Sequence, residues 1–114
     1  MSIAGDRAAI AAALSAVDGV TGHEYRPRTL PAGTAWPLLQ RLDRGPAQDF
    51  EATWRIVVIL PGDEITASKW FDAHHEAIAD GLLDFGFVDP IEPGLVQTDV
   101  GDLEAMMLTV RREA

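Results

Sequence analysis

The chain has 114 residues, no cysteine and a formal net charge of −9 at pH 7. This length accommodates one hydrophobic core, so we expect a single α+β domain over residues 1–114. The lack of cysteine excludes a disulfide framework, a thiolate metal site and a thiol nucleophile. The first residues do not read as a secretory signal, and no apolar run reaches the roughly 18–20 residues that span a bilayer, so we expect no membrane association.

The charge is unevenly distributed along the chain. Residues 1–60 carry six arginines and six acidic residues, whereas residues 61–104 carry eleven acidic residues and Lys69. Proteins that bind nucleic acid usually present a basic face to phosphate, so this balance argues against that class. The acidic half either provides solubility, or meets a basic surface, or borders a space through which DNA passes without adhering.

The first half of the chain reads as one helix followed by short extended segments. Apolar residues at helical spacing predict a helix from about residue 3 or 6 to residue 17, ended by Asp18-Gly19. A short strand is expected at residues 20–25. Two prolines and a glycine predict an extended arm or loop near residues 26–35. Residues 36–42 resume as a strand that Pro37 restricts to an edge, and residues 43–49 form a turn.

Residues 50–60 form the most informative segment. Apolar and polar residues alternate from Phe50 to Ile56, so one set of side chains, which includes Trp54, faces a core. From Ile56 to Leu60 both faces are apolar, which predicts a central strand covered on both sides at this end. Pro61 and Gly62 end the strand, and Asp63 is placed to cap the next helix.

That second helix is expected to cover residues 64–83. Asp72, Glu76 and Asp80 follow one another at a spacing of four, so they predict a solvated acidic ridge on its outer side. A strand then follows at residues 84–88. We expect Pro90, Pro93 and the following glycine to break it before a second short segment at residues 95–98. A turn at residues 99–102 leads into a last strand over residues 103–111.

The predicted element order is α-β-β-β-α-β-β. Most strands follow one another through short turns, which favours an antiparallel arrangement over a parallel one. We therefore predict a mainly antiparallel sheet of about four or five strands, packed with two helices.

No catalytic or ligand-binding constellation is found among the polar residues. His74 and His75 are adjacent, so on a helix they point about 100° apart and cannot bind one metal as an i, i+4 pair would. Asp72, His75 and Glu76 would make a weak ion site, and packing of the histidine on the helix flank is favoured. Ser68 lies roughly 10 Å along the helix axis from His75, too far for proton transfer. We expect no enzyme activity, no metal and no cofactor.

The remaining candidates are binding surfaces. Trp54 is most simply a core residue, whereas Trp36 and Trp70 lie either at an interface or at the core edge. Exposed tryptophan and arginine are enriched at interface centres. Arg26 and Arg28 flank Pro27 in the arm, where they either contact a partner or belong to a solvated loop.

The pattern resembles small neck proteins of long-tailed phages of actinobacteria, usually called tail terminators or head-to-tail connector proteins. The likeness covers nearly the whole chain. It rests on the opening residues 1–10 with their alanine-rich helix, Gly22-His-Glu-Tyr-Arg-Pro-Arg28, Ala35-Trp-Pro-Leu38, Thr53-Trp-Arg-Ile-Val-Val-Ile-Leu-Pro61, a helix with Trp70-Phe71, and a final strand ending in Arg111-Arg112.

The resemblance implies a virion protein of the phage neck, assembled in the host cytoplasm, that has the tail-terminator fold. Such a subunit assembles with itself as a ring, typically a hexamer, on the head-proximal end of the tail tube. There it stops polymerisation of the tail tube protein and joins the tail to the head-closure or connector proteins. DNA passes through the ring without being bound.

A ring of this kind needs two different patches on each subunit. We expect Arg26 or Arg28 to approach acidic residues of the next subunit, with Trp36 as an apolar anchor. On the second helix, Trp70, Asp72 and Glu76 are further interface candidates. Asp99 and Asp102 are candidates to face the channel, where negative walls keep DNA from adhering.

Three alternatives stay open. Within the same class, the chain is a head-closure or tail-completion protein of the neck. From another class, it is a small bacterial protein-binding module that stays monomeric or dimeric and binds one soluble protein. The third is a small enzyme that uses a histidine such as His74.

Overall fold

A computed structural model describes residues 3–44 and 50–113. The architecture is α+β, and its element order, α-β-β-β-α-β-β, confirms the prediction. The elements in chain order are α1 (Ile3–Ser15), β1 (Thr21–Gly22), β2 (Thr34–Arg44), β3 (Phe50–Ile59), α2 (Glu64–Leu82), β4 (Phe87–Thr98) and β5 (Gly101–Glu113). Of the turn predicted at residues 43–49, the first two residues belong to β2 and residues 45–49 lie outside the described residues.

The strands form one mixed sheet in the order β1-β2-β3-β5-β4. β2 pairs with β3, β3 with β5 and β5 with β4 in antiparallel fashion, whereas β1 runs parallel to β2. The prediction of a mainly antiparallel sheet is therefore confirmed. β3 lies in the middle of the sheet, as its apolar composition indicates.

Both helices pack on the same face of the sheet, which we call the helix face. The alternating side chains of β3 and β5 meet them there and form the main core. Its largest fully buried members are Trp54, Ile10, Leu14, Ile56, Ile78, Leu82, Met106 and Leu108. The core position predicted for Trp54 is confirmed.

The opposite face of the sheet, the open face, has a smaller core of its own. It consists of Trp36, Val57, Ile59, Val96 and Ala105, against which Leu30 packs from the loop at residues 23–33. The segment from Ile56 to Leu60 is thus buried on both sides, with no residue more than 6% exposed. This confirms the two-sided burial predicted for the end of the central strand.

The first part of the chain is more irregular than predicted. α1 ends at Ser15 rather than at residue 17, and β1 contains two residues rather than six. The Ser15 hydroxyl accepts a hydrogen bond from the Gly22 backbone N–H at 2.9 Å, which ties the end of α1 to β1. After Gly22, which pairs with Ala35, the chain leaves the sheet, and the loop at residues 23–33 crosses to the open face.

The predicted break at Pro90 and Pro93 is wrong, since β4 runs unbroken from Phe87 to Thr98. β4 is an edge strand and pairs on one side with β5, so a missing N–H does not interrupt the sheet. The register shifts between Val88 and Ile91, and this irregularity accommodates Pro90.

Two further expectations concern the ends of β2 and β3. β1 covers β2 at Thr34 and Ala35, so Pro37 lies where β2 is an edge strand, as predicted. Phe50 was expected to face the core but is 40% exposed, and the Arg44 guanidinium lies 5.0 Å from the centre of its ring.

The start of α2 follows the predicted capping. Asp63 has an extended backbone, and its side chain accepts a hydrogen bond from the Thr66 backbone N–H at 2.9 Å. Within the described ranges, no helix combines the length and apolar character needed to cross a bilayer.

Candidate interaction surfaces

The two adjacent histidines are held by their own helix. The His74 ring stacks on Trp70 with the ring centres 3.9 Å apart, and its Nδ1 lies 2.8 Å from the Trp70 carbonyl oxygen. His75 lies in the same way against Phe71, with its Nδ1 3.0 Å from that carbonyl oxygen. A carbonyl oxygen accepts only, so each Nδ1 carries the donated hydrogen. In residues 3–44 and 50–113, no group of three or more His, Asp or Glu side chains is placed to hold a metal ion.

The same stacking defines the surroundings of Trp70. Its indole is partly buried against the main core, and His74 covers one face of the ring. Trp70 therefore packs at the core edge, which leaves a limited part of its surface for a neighbour.

Trp36 is 1% exposed and lies within the smaller core of the open face. The Arg26 guanidinium lies 5.7 Å from the centre of its ring and donates a hydrogen bond to the Gln97 carbonyl oxygen at 3.1 Å. The expectation that Trp36 is an apolar anchor for a neighbour is wrong for this chain, because the indole is already covered by its own loop. Its exposed side is covered in part by Arg26.

The loop at residues 23–33 folds across the open face instead of extending away from the molecule. Arg28 is exposed, and no hydrogen bond or ion pair joins its side chain to the described residues. Arg26, Arg28 and Asp99 border one groove, and Asp102 lines the next groove beside Arg26. The structure thus brings the arginines of the arm and the predicted channel acids to one end of the molecule.

The acidic ridge of α2, defined as Asp72, Glu76 and Asp80, is fully solvated as predicted. Its three side chains are exposed, and none makes an ion pair with another described residue. The buried side of α2 is formed by Ala67, Ile78 and Leu82, so the ridge points away from the sheet. Exposed Ile65 and Leu83 stand near its two ends, at 68% and 62% of their full exposure.

A groove of about 560 Å³ crosses the open face. We call it the open groove, and its lining includes Arg26, Arg55, Asp102, Trp36, Leu38 and Met107. Arg55 is partly buried, and within the described residues its guanidinium has no hydrogen bond or ion pair. Its cross-strand neighbours are Leu38 on β2 and Thr109 on β5, neither of them an acid.

Sequence reasoning did not single out Arg55. The alternation along β3 places it on the face that points to water or to a neighbour, which is correct. The surroundings of that face depend on β2, β5 and the loop at residues 23–33, so no local pattern marks the groove.

The exposed edges of the sheet are poor templates for a further strand. β4 carries Pro90 and Pro93 together with the exposed acids Asp89 and Glu92. β2 carries Pro37 and a register shift between Leu39 and Arg41. Proline, charge and irregular pairing all hinder edge-to-edge association, so the faces of the molecule are its better contact surfaces.

The two faces carry different sets of charges, since the ridge is purely acidic and the open groove contains Arg26 and Arg55 beside Asp102. The acidic ridge lies outside the helix face, whereas Arg26 and Arg55 lie along the open groove on the other side of a molecule 47 × 29 × 21 Å across. No protein-family model matches the chain, and comparison with curated proteins finds no match either. The positions of these surfaces are therefore the observations that bear on function.

Proposed function

We propose that the chain is a structural subunit of a phage neck, a tail terminator that assembles as a ring on the head-proximal end of the tail tube. The observation that carries the self-assembly is the separation of two unlike surfaces, an acidic ridge on one face and an arginine-bearing groove on the other. The neck role itself comes from the resemblance of the sequence to neck proteins of long-tailed actinobacteriophages.

Two unlike patches are what a head-to-tail assembly requires. In a two-fold dimer the same patch of both subunits forms the interface. In a ring each subunit uses two different patches, and the ring closes when the rotation between neighbours divides a full turn evenly. The hindered edges of the sheet favour contacts between faces over strand addition. Typical closed rings of this class are hexamers, and the same number is proposed here.

The surfaces that remain exposed after ring formation meet the other components. In this proposal one side of the ring contacts the tail tube protein and the other contacts the head-closure or connector proteins. Asp99 lies in an exposed position at the β4–β5 turn, and its negative charge keeps passing DNA from adhering. Asp102 is exposed near the start of β5 and lines the open groove beside Arg26. The role is structural rather than catalytic, and its place is the head–tail junction of the virion.

Electron microscopy of the purified chain mixed with tail-tube subunits tests the role. The expected result is tubes of limited length, each capped at one end by a ring. Tubes that grow to the same length and with bare ends in the presence and absence of the chain would contradict it.

Reversal of charge on the arm tests whether the arginines take part in assembly. Combining Arg26→Glu with Arg28→Glu is expected to weaken the ring, because both side chains then repel acidic residues of a neighbour. Combining Arg41→Glu with Arg44→Glu changes the net charge equally at the far end of β2 and serves as the control. Native mass spectrometry gives the ring mass and circular dichroism the folded state; an unchanged ring mass in the arm variant would refute the contact.

A further inference from the structure

We infer that the open groove of one copy binds the acidic ridge of α2 from the next copy. This inference rests on the self-assembly proposed above and specifies which two surfaces meet. Arg55 is its central residue on the groove side, and Glu76, in the middle of the ridge, is its central residue on the helix side.

The state of Arg55 is the first argument. Arg55 is partly buried in the open groove, and its guanidinium has no ion pair or hydrogen bond to the described residues. Its cross-strand neighbours are Leu38 and Thr109, and the groove's lining also contains the acid Asp102. A partly desolvated charge without a partner is unfavourable, and an incoming carboxylate relieves that cost. At Arg55 the groove therefore favours an acidic partner.

The floor of the groove is the second argument. Trp36 and Val57 lie beneath the groove with almost no exposed surface, whereas Leu38 and Leu95 in its lining are 45% and 56% exposed and form the apolar surface that an occupant can cover. An occupant that carries only charge would leave this apolar surface in water. The ridge of α2 combines its three acids with exposed Ile65 and Leu83 near its ends, so it offers both kinds of contact.

The geometry of one subunit is the third argument. The ridge points away from the helix face and the groove lies on the opposite face, so a single chain cannot bring its own ridge into its own groove. Each copy therefore uses its groove for one neighbour and its ridge for another. That is the head-to-tail contact from which a ring is built.

A charge-exchange experiment tests the pairing in buffer, without tail components. Arg55→Glu alone and Glu76→Arg alone are each expected to weaken self-association by roughly tenfold to a hundredfold, since like charges then face each other. A chain that carries both changes recovers association close to that of the wild type. Sedimentation velocity over a concentration series measures this.

Arg41→Glu is the matched control. Arg41 is exposed and its Nε lies 2.8 Å from the Asp43 carboxylate, so its reversal changes the net charge equally without touching the groove. This control is expected to associate like the wild type. Glu76 is exposed on a helix surface, so Glu76→Arg tests the contact even if Arg55→Glu disturbs the sheet.

The outcomes separate the surface from the neck role. Loss in the single variants with recovery in the double variant supports the pairing, even if tail tubes are then not capped and the neck role fails. Undiminished association of Glu76→Arg, or a wild-type chain that stays monomeric at every concentration, overturns the pairing. Capping of tail tubes by the Glu76→Arg variant would still support the neck role.

Discussion

Asp6 is a buried acidic residue whose cationic partner, Arg112, is far away in the sequence. It lies in the first turn of α1 yet is 3% exposed, and its Oδ1 lies 3.8 Å from Nη1 of Arg112. The Arg112 guanidinium also lies 4.5 Å from the centre of the Phe85 ring. The other oxygen of Asp6 has no hydrogen-bond partner within the described residues. The Asp6–Arg112 ion pair therefore joins the start of α1 to the end of β5 across the core.

Removal of the arginine should be costly for this reason. Arg112→Met leaves a buried carboxylate without its cation, and we expect it to lower the free energy of unfolding by about 2 kcal/mol at neutral pH. Asp6→Asn removes the charge that needs compensation, so the double variant should lose less than the two single losses added together. Urea unfolding of the four chains measures the difference; strictly additive losses would contradict the coupling.

Asp63 carries a pH-dependent contribution to stability. The Thr66 backbone N–H, helped by the Thr66 hydroxyl, donates to its carboxylate and holds the pKa of Asp63 below its usual value. Since folding lowers this pKa, the contribution is complete above the unfolded-state pKa and is lost as the pH falls through the folded-state value.

Asp63→Asn provides the matched comparison, because asparagine caps a helix about as well but does not titrate. The unfolding free energy of the wild type, relative to this variant, should rise through the acidic range and then become constant. Urea midpoints measured from strongly acidic to neutral pH check this. Parallel stability curves for the two chains would show that the charged cap contributes nothing.

At the scale of elements, the contact between α1 and β1 depends on a residue without a side chain. A Cβ at Gly22 would collide with the Ala11 carbonyl oxygen and lie 2.9 Å from the Cβ of Leu14. Gly22 thus allows the short parallel strand to lie directly against the helix. A larger residue would have to push the two elements apart.

Gly22→Ala is therefore expected to destabilise the fold by about 2–3 kcal/mol, the cost of overpacking a rigid site. Thr21→Ala, at an exposed neighbouring position of β1, is the control and should change stability little. Thermal or urea unfolding gives both values. A Gly22→Ala chain as stable as the control would mean that α1 and β1 separate easily.

At the scale of the whole molecule, the placement of charge on opposite faces predicts a salt-sensitive assembly. Raising NaCl from about 0.1 M to about 1 M shortens the Debye length from roughly 10 Å to 3 Å. Because the proposed contact pairs the acidic ridge with Arg26 and Arg55, self-association should weaken over this range. Sedimentation velocity measures it, with Arg55→Met as the comparison that should respond less to salt. Association that strengthens with salt would indicate a mainly apolar contact.

The order and type of the elements could be predicted from the sequence, because they depend on local patterns. The two-residue alternation that becomes an all-apolar run in β3, the helical spacing in α2 and the cap at Asp63 each act over a few residues. Proline was the misleading signal in β4, since its effect depends on whether the strand lies at an edge. That position is fixed by the pairing of the whole sheet.

The α+β class, the central strand, the acidic ridge and the net charge can all be read from the amino-acid sequence. The burial of Trp36 beneath Arg26, the contact of Asp6 with Arg112, and the position of Arg55 in a groove, without a partner among the described residues, follow from tertiary packing alone. These contacts join segments that are far apart in the chain, so they form only when the sheet order brings those segments together. The physical reason is that local pattern sets which face a side chain points to, whereas packing sets what it finds there.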